Sequence, residues 1–357
     1  MADARRSRDY RQPPPTANKK LQDYWRHAKR LYEALSKAAN LEPTGPECRC
    51  VGHVANLELA TKDPTKIQFG VLFSGMDHNG GLAWRETKIE MVPNPDSDNG
   101  AAPVGAGRTS TRVSFAVSNL VTGSTQTHNN TRQIRNLCEE LSNRPQGCVG
   151  FMDEDEKRFM VYRTDCTIRD PGVSIITLDS ILHTSQTLTR RQRYSLAHTI
   201  ATWFLRLGST PWISLPLQAN IVFFQDTTAS SLSNMDIEKL YIGGELANSA
   251  PIPLIDAIHS LGVCLLELCF DSSLESYKIR NRLSGGPAAL APLLDYAAAV
   301  QWSKEVNGEA GPDFAEAIEW CLQARSQSDE SWRKDIWAHV IVPLSNCRNH
   351  LSQRIAI

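Results

Sequence analysis

From Thr189 to Gly208, apolar residues recur at i, i+3, i+4, i+7 and i+8, at Ala197, Ile200, Ala201, Phe204 and Leu205, which predicts one apolar stripe on a helix. Thr189 and Gln192 have the spacing of a capping box at its start, and Gly208 marks its end. A second helix is predicted from Ile255 to Cys269. There Ile258, Leu261, Gly262, Leu265, Leu266 and Leu268 carry apolar character around more than one face, the pattern of a buried helix. Between the two lies the segment Asn220, Ile221, Val222, Phe223, Phe224. Two more helices are predicted at Phe314 to Leu322 and Trp332 to Leu344, with Pro312 and Pro343 as punctuation.

Nearer the N-terminus, Leu21, Trp25, Ala28, Tyr32 and Leu35 line one face of a helix that starts at about Asn18. Lys19, Lys20, Arg26, Lys29, Arg30 and Lys37 occupy its other faces. Such a basic amphipathic helix can lie on a membrane or in a partner's groove. Docking on its own domain is the preferred reading, because helices persist through tertiary packing. Residues Met1 to Ala17, rich in Arg and Pro, are expected to form a disordered tail.

The period changes between His53 and Arg163. Val54 to Leu59, Ile67 to Phe73, Trp84 to Val92 and Thr111 to Val117 read as strands, and Pro93 to Arg108 as the mobile loop. Thr131 to Leu141 reads as a helix, with Ile134, Leu137, Cys138 and Leu141 on one side. A hairpin follows: Cys148 to Met152, an acidic turn at Asp153 to Glu156, then Arg158 to Tyr162. The expected organisation is a tail over 1–17, an amphipathic helix and Cys/His loop over 18–53, a β-rich small lobe over 54–170 and a helical large lobe over 171–357.

Composition narrows the function. A chain of 357 residues is long enough for two lobes, and 41% apolar with 22% charged residues is the balance of a soluble globular protein. A formal net charge of −1 gives no electrostatic case for nucleic acid. Nine irregularly spaced cysteines read as reduced thiols of the cytoplasm or nucleus, and the expected location is cytoplasmic. The longest apolar run, Gly262 to Phe270, is broken by Glu267 and is too short for a transmembrane segment. Cys48, Cys50 and His53 form a Cys-x-Cys-x-x-His cluster. These ligands can hold zinc, but the spacing is tight and a second pair is missing, so buried structural cysteines are the preferred reading.

Several segments together carry a family resemblance. They are Leu31 to Leu35, the Cys-x-Cys-x-x-His cluster, Thr210-Pro211-Trp212, Asn220 to Phe224, and Leu261 to Leu268. Arg193, Ala197, Ile200 and Ala201 add an Arg-x-x-x-Ala-x-x-Ile-Ala run. From about Leu21 onward the chain resembles a fungal kinase-like domain of uncharacterised function, of the type associated with HeLo and prion-inhibition proteins. The resemblance implies an α+β, protein-kinase-like two-lobed fold with a small β-rich N-lobe and a larger, mainly helical C-lobe.

Phosphoryl transfer needs a phosphate cradle, a Lys, metal ligands and an Asp near the accepting hydroxyl. No Gly-x-Gly-x-x-Gly occurs among the early strands. If Asn220 matches the metal-binding Asn, Leu215 stands at the catalytic Asp and Ile213 at the His. Asp-Phe-Gly is absent after Phe224, and Ala257 stands at the buried bracing Asp, with Asp256 one residue out of register. The expectation is a catalytically inactive pseudokinase acting as a binding or regulatory scaffold for a protein partner, in fungal signalling or incompatibility, with no cofactor. The alternative is an atypical nucleotide-binding protein or phosphotransferase using the interlobe cleft, with ATP and Mg²⁺ as cofactors. Its vestigial nucleotide site would comprise Lys88, paired with Glu139 or Glu140, together with Asn220 and Asp226. His183, His198 and His259 read as hydrogen-bonded structural histidines.

Overall fold

The computed structural model describes residues 15–40, 54–58, 67–76, 82–94, 132–143, 146–164, 173–184, 187–226, 239–246, 252–282, 290–324 and 331–353. These form an α+β structure. Its strands are β1 (Val54–Glu58), β2 (Gln68–Met76), β3 (Leu82–Pro93), β4 (Gly147–Glu154), β5 (Lys157–Arg163), β6 (Val173–Thr177), β7 (Ile221–Asp226) and β8 (Tyr241–Glu245). The helices are α1 (Pro15–Asn40), α2 (Leu137–Asn143), α3 (Leu178–His183), α4 (Arg190–Leu207), α5 (Leu217–Asn220) and α6 (Leu254–Phe270). They continue with α7 (Lys278–Arg282), α8 (Ala291–Ser303), α9 (Val306–Ala310), α10 (Pro312–Gln323), α11 (Trp332–Ile336) and α12 (Val342–Gln353).

The strands form one antiparallel sheet in the order β4-β5-β3-β2-β1-β8-β7-β6. Its two faces follow from period-2 alternation. Phe69, Val71 and Phe73 of β2, with Ile89 of β3, point into the main core shared with the helices, whereas Leu72 joins Val222 and Tyr241 in a separate cluster. The last three strands come from the region expected to be helical, and β8 pairs with β1 in register Asn56↔Gly243. The sheet therefore continues through both halves of the chain.

The capping box predicted at Thr189 is formed. Gln192 N–H donates to Thr189 Oγ1 at 3.3 Å, and Thr189 N–H donates to Gln192 Oε1 at 2.9 Å. Gly208 ends α4 in right-handed geometry, with φ −52°. Its lack of a side chain serves a close approach: a Cβ there would lie 3.0 Å from the Trp332 ring. The helix α6 is buried along most of its length, as its apolar spread predicted. Arg193 of α4 donates to the carbonyls of Leu268 and Cys269 at the C-terminal end of α6, which otherwise carry no intrahelical partner. Among the described residues no helix is long and apolar enough to cross a membrane.

Some boundaries differ from the sequence expectation. The first helix starts at Pro15, so residues 15–17 belong to it and not to a tail; Pro suits the first helical turn because its missing N–H would be unbonded there anyway. The helix expected from Thr131 starts at Leu137. Before it, Ile134 N–H donates to Phe151 O at 2.8 Å and Phe151 N–H to Arg132 O at 3.1 Å, so this segment runs beside β4. Asn136 then accepts from Glu139 N–H and caps α2. Pro343 does not end its helix. A π turn over Trp337–Ile341, in which Val342 N–H reaches Trp337 O, carries the helix past the proline, whose ring would otherwise press on a preceding carbonyl. The strand expected at Thr111 to Val117, the loop from residue 95 to 108, and Cys48, Cys50 and His53 lie outside the described residues.

Candidate functional site

The four residues proposed for a nucleotide site do not converge. Lys88 lies on β3, opposite Gly70 and Tyr162, and its side chain is 47% exposed. Its acidic neighbour is Glu90 at 3.8 Å, a surface pair of small energetic value. Glu139 sits on α2, which packs Leu137 and Leu141 against the face that holds Ile89. Because Lys88 and Ile89 are consecutive in a strand, Lys88 points away from α2 and no pair with Glu139 forms. Glu140 lies 4.0 Å from Arg132. Asp226 ends β7, opposite Val173. From β3 to β7 there are four strand spacings, roughly 19 Å.

The basic residue that β3 presents to α2 is Arg85, which the sequence reading passed over. It is buried and lines a cavity of about 10 Å³ with Phe73, Ser74, Leu137, Cys138 and Leu141. That volume suits at most about one water. The signal was available in the phase of the strand: Arg85, Thr87 and Ile89 alternate onto the core face.

Asn220 acts on its own loop. Its Nδ2 donates to Pro216 O at 2.8 Å and Ser214 O at 3.3 Å, the turn-bonding role that an amide fills well. The loop before it, which contains a cis Leu215–Pro216 peptide, is tied to α6 where Leu217 N–H donates to Ser260 Oγ at 3.1 Å. Ile213 and Leu217 are buried, and with Trp203, Phe204 and Ile242 they line a second small apolar cavity. Leu215 is exposed, and Ala257 of α6 is buried. This loop thus sets the buried aliphatic side chains of Ile213 and Leu217 on either side of the exposed Leu215.

The histidines have structural partners. Burial, then the nearby Arg348 charge, pushes His198 down to about 4, so the neutral ring accepts from Arg348 Nη1 at 3.2 Å. His259 Nε2 donates to Ala324 O at 3.1 Å. His183 lies between Asp179, whose carbonyl it contacts at 2.9 Å, and Glu275; these contacts raise its pKa. A buried carboxylic acid, Glu267 on α6, accepts from Leu274 N–H at 2.8 Å, and burial pushes it up to about 7. Among the described residues no cluster of three or more His, Cys, Asp or Glu is placed to hold a metal ion.

Aromatic, hydrogen-bonded and ionic contacts all meet where α1 docks. Trp212 Nε1–H donates to Ala28 O at 2.8 Å, and the Tyr32 ring meets the Trp212 ring edge-on with centroids 5.3 Å apart. Tyr32 O–H donates to Glu245 O at the end of β8 at 2.8 Å. Tyr24 lies against Phe69 of β2 and Trp203 of α4 at 5.4 and 5.9 Å, with the Arg206 guanidinium 5.6 Å from its ring. At the far end, Lys37 Nζ reaches both oxygens of Glu154 at 2.6 and 2.7 Å, and Arg30 lies 3.7 Å from Asp155. The helix thus joins the sheet, the acidic turn between β4 and β5, α4 and the Trp212 loop. Of the readings open to this basic amphipathic helix, docking on its own domain is the one seen.

A family model described as a domain of unknown function, DUF7580, matches residues 18–347. The chain belongs to that family. The match starts within α1, so the helix and the surface on which it docks are both part of the DUF7580 domain. No curated protein matches the chain. Among solved structures, the chain is similar to one described as the apo GRMZM2G135359 pseudokinase. The identity is 14%, with 78% of this chain and 88% of that chain covered, at a TM-score of 0.29.

Proposed function

We propose that this DUF7580 protein is a kinase-like protein that works by binding, as a regulatory scaffold for a protein partner, and transfers no phosphoryl group. The observation that carries the reading is what stands at the loop before β7. Ile213, Leu215 and Leu217 occupy it, and Asn220 is spent on the loop's own carbonyls. Transition-state charge in phosphoryl transfer is stabilised by preorganised charge, and aliphatic side chains supply none. The kinase-like element is supported by the order β1, β2, β3, helix α2, then the β4–β5 hairpin, followed by the buried helices α4 and α6. The nine cysteines at irregular spacing in the sequence support a reducing, cytoplasmic setting. The sequence resemblance supports a role in fungal signalling or incompatibility.

Radiolabelled ATP with Mg²⁺ and a thermal-shift titration test this together. No incorporation and no stabilisation are expected. A ligand at 100 times its Kd would add about 2.7 kcal/mol of stability. Stabilisation without incorporation would convert the reading to a nucleotide sensor. Incorporation lost on Lys88→Ala or Asp226→Ala would replace it with an atypical phosphotransferase.

A further inference from the structure

Residues Ser272 to Arg282 form a strap beside the C-terminal end of α6, a 3₁₀ turn over Leu274–Ser276 followed by α7. The strap leaves α6 at Asp271, whose left-handed φ of 54° ends the helix and whose carboxylate accepts from Leu188 N–H at 2.9 Å. Several ties hold it down. Leu274 N–H donates to Glu267 Oε1 at 2.8 Å, and Glu275 lies 3.5 Å from His183 Nε2. The Tyr277 ring stacks on Trp302 with centroids 4.9 Å apart, its O–H donates to Glu305 at 2.9 Å, and Arg280 pairs with Asp295 of α8.

The tie to Glu267 is made to an acid in an adverse setting. Glu267 is 3% exposed and stands in the last turn of α6, where the helix dipole opposes negative charge. Its Oε2 has no hydrogen-bond partner among the described residues. The groups that face it from other elements are Asp179 and His183 of α3 and Glu275 of the strap, two carboxylates against one imidazole, and Cys264 is its neighbour along α6. Of the other helices packed on α6, α4 brings Arg193, which is held by the Leu268 and Cys269 carbonyls and lies 3.9 Å from Glu309 of α9. From α8 comes Asp295, paired with Arg280; α10 turns Cys321 toward Gly262, and α5 carries no titratable group.

We propose that the strap is a pH-gated clasp with Glu267 as its latch, closed while the carboxyl is protonated and lifting locally once it ionises. A neutral acid sits in this site without a counter-charge, whereas an ionised one has a single N–H donor and two carboxylates nearby. Lifting the strap admits water to the anion and takes Glu275 from its side, so ionisation and opening favour each other. Burial, then Asp179 and Glu275, raises the Glu267 pKa from 4.5 to about 7. The hold on the strap is therefore fully present below 4.5 and is lost as pH rises through 7. His183 acts in the same direction: the Asp179 carbonyl, then the carboxylates around it, raise its pKa, and losing its charge as pH rises weakens the tie to Glu275. The lifted strap uncovers Leu274 and the Trp302 ring. This clasp stands or falls separately from the kinase-like reading.

Hydrogen exchange of the full chain tests this between pH 5 and 7, read as protection factors corrected for the intrinsic pH dependence of amide exchange. In wild type, residues 272–282 are expected to be less protected than α10 at every pH, the mark of local opening. Their protection is expected to fall about 40-fold from pH 5 to 7, the linkage for a latch that moves between 4.5 and 7. Glu267→Gln keeps an acceptor for Leu274 N–H and cannot ionise, so its strap is expected to show a nearly flat profile. Strap protection equal to that of α10 throughout would mean opening by global unfolding alone, and wild-type protection indifferent to pH would mean an opening that leaves Glu267 enclosed. Either result overturns the proposal, as does a Glu267→Gln strap with the wild-type slope. If that variant fails to fold, the two wild-type comparisons still decide.

Discussion

Gly262 of α6 lies so near Cys321 of α10 that a Cβ built on the glycine would be 2.9 Å from the Cys321 Cβ, with Leu322 side-chain carbons at 3.1 and 3.2 Å. Alanine in place of a helical glycine ordinarily gains roughly 0.5–1 kcal/mol in propensity. Here that gain is opposed by overpacking against a neighbouring helix, which costs about 1–3 kcal/mol. Gly262→Ala is therefore expected to lower the denaturant midpoint. A raised midpoint would mean that α10 can move aside at little cost.

On the same helix, Leu265 is fully buried. Truncation to Ala loses its transfer free energy and leaves a cavity that the surrounding helices fill only partly. The expected cost is about 2–5 kcal/mol in equilibrium unfolding. An unchanged midpoint would contradict the central place of α6.

The start of α4 offers a smaller and cleaner test. Thr189→Ala removes the hydroxyl that accepts from Gln192 N–H and leaves the Gln192 half of the capping box in place. A loss of about 1 kcal/mol is expected, with Thr189→Ser close to wild type. Equal losses in the two variants would point to packing of the Thr methyl group in place of the cap.

The elements legible in the sequence were those whose signal is local. Thr189 and Gln192 declared a helix start, the α6 pattern declared burial, and Asp153 to Glu156 declared a hairpin turn. What escaped depends on partners distant in the chain. Lys88 and Arg85 are three residues apart and so on opposite faces of β3; choosing Lys88 by residue type, without the alternation of Arg85, Thr87 and Ile89, put it on the side away from Glu139. Ile134 and Leu137 are both buried, but Ile134 lies in a segment bonded to Phe151 across the chain, so helical spacing overextended α2. Pro343 reads as a stop because sequence patterns do not reveal the π turn that accommodates it. Ile221 to Phe224 stood in the region expected to be helical, and its membership in the sheet begun at Val54 depends on β8 as a bridge.

Trp212 tests how firmly α1 is held. Trp212→Phe keeps an aromatic ring beside Tyr32 but removes the Nε1–H that donates to Ala28 O. One hydrogen bond contributes a net 0.5–1.5 kcal/mol or so, with the added cost of a smaller ring in a fully buried site. Hydrogen exchange along residues 15–40 is expected to accelerate more than exchange along α6. Uniform acceleration across both helices would show that α1 opens only with global unfolding.

Glu267 gives the protein a stability that falls with rising pH. Its carboxyl is buried on α6. One oxygen accepts from Leu274 N–H at 2.8 Å, and Oε2 has no hydrogen-bond partner among the described residues. Burial raises its pKa from an ordinary 4.5 to about 7; the nearby Asp179 and Glu275 carboxylates also raise it, while Leu274 N–H and His183 oppose the rise. Below pH 4.5 the acid is protonated in both folded and unfolded chains and contributes no pH slope. Between 4.5 and 7 the unfolded chain releases the proton while the folded chain keeps it, so folding weakens as pH rises, by roughly 3 kcal/mol across the window. His183, whose pKa is also raised, adds a loss in the same direction as pH rises through its folded value; its exposure keeps that contribution small. Glu267→Gln retains an acceptor for Leu274 N–H and removes the ionisation. The variant is expected to show a flatter stability profile from pH 4.5 to 7 and to exceed wild type in stability at pH 8. Parallel profiles for the two proteins in urea melts would place the acidic transition on other groups.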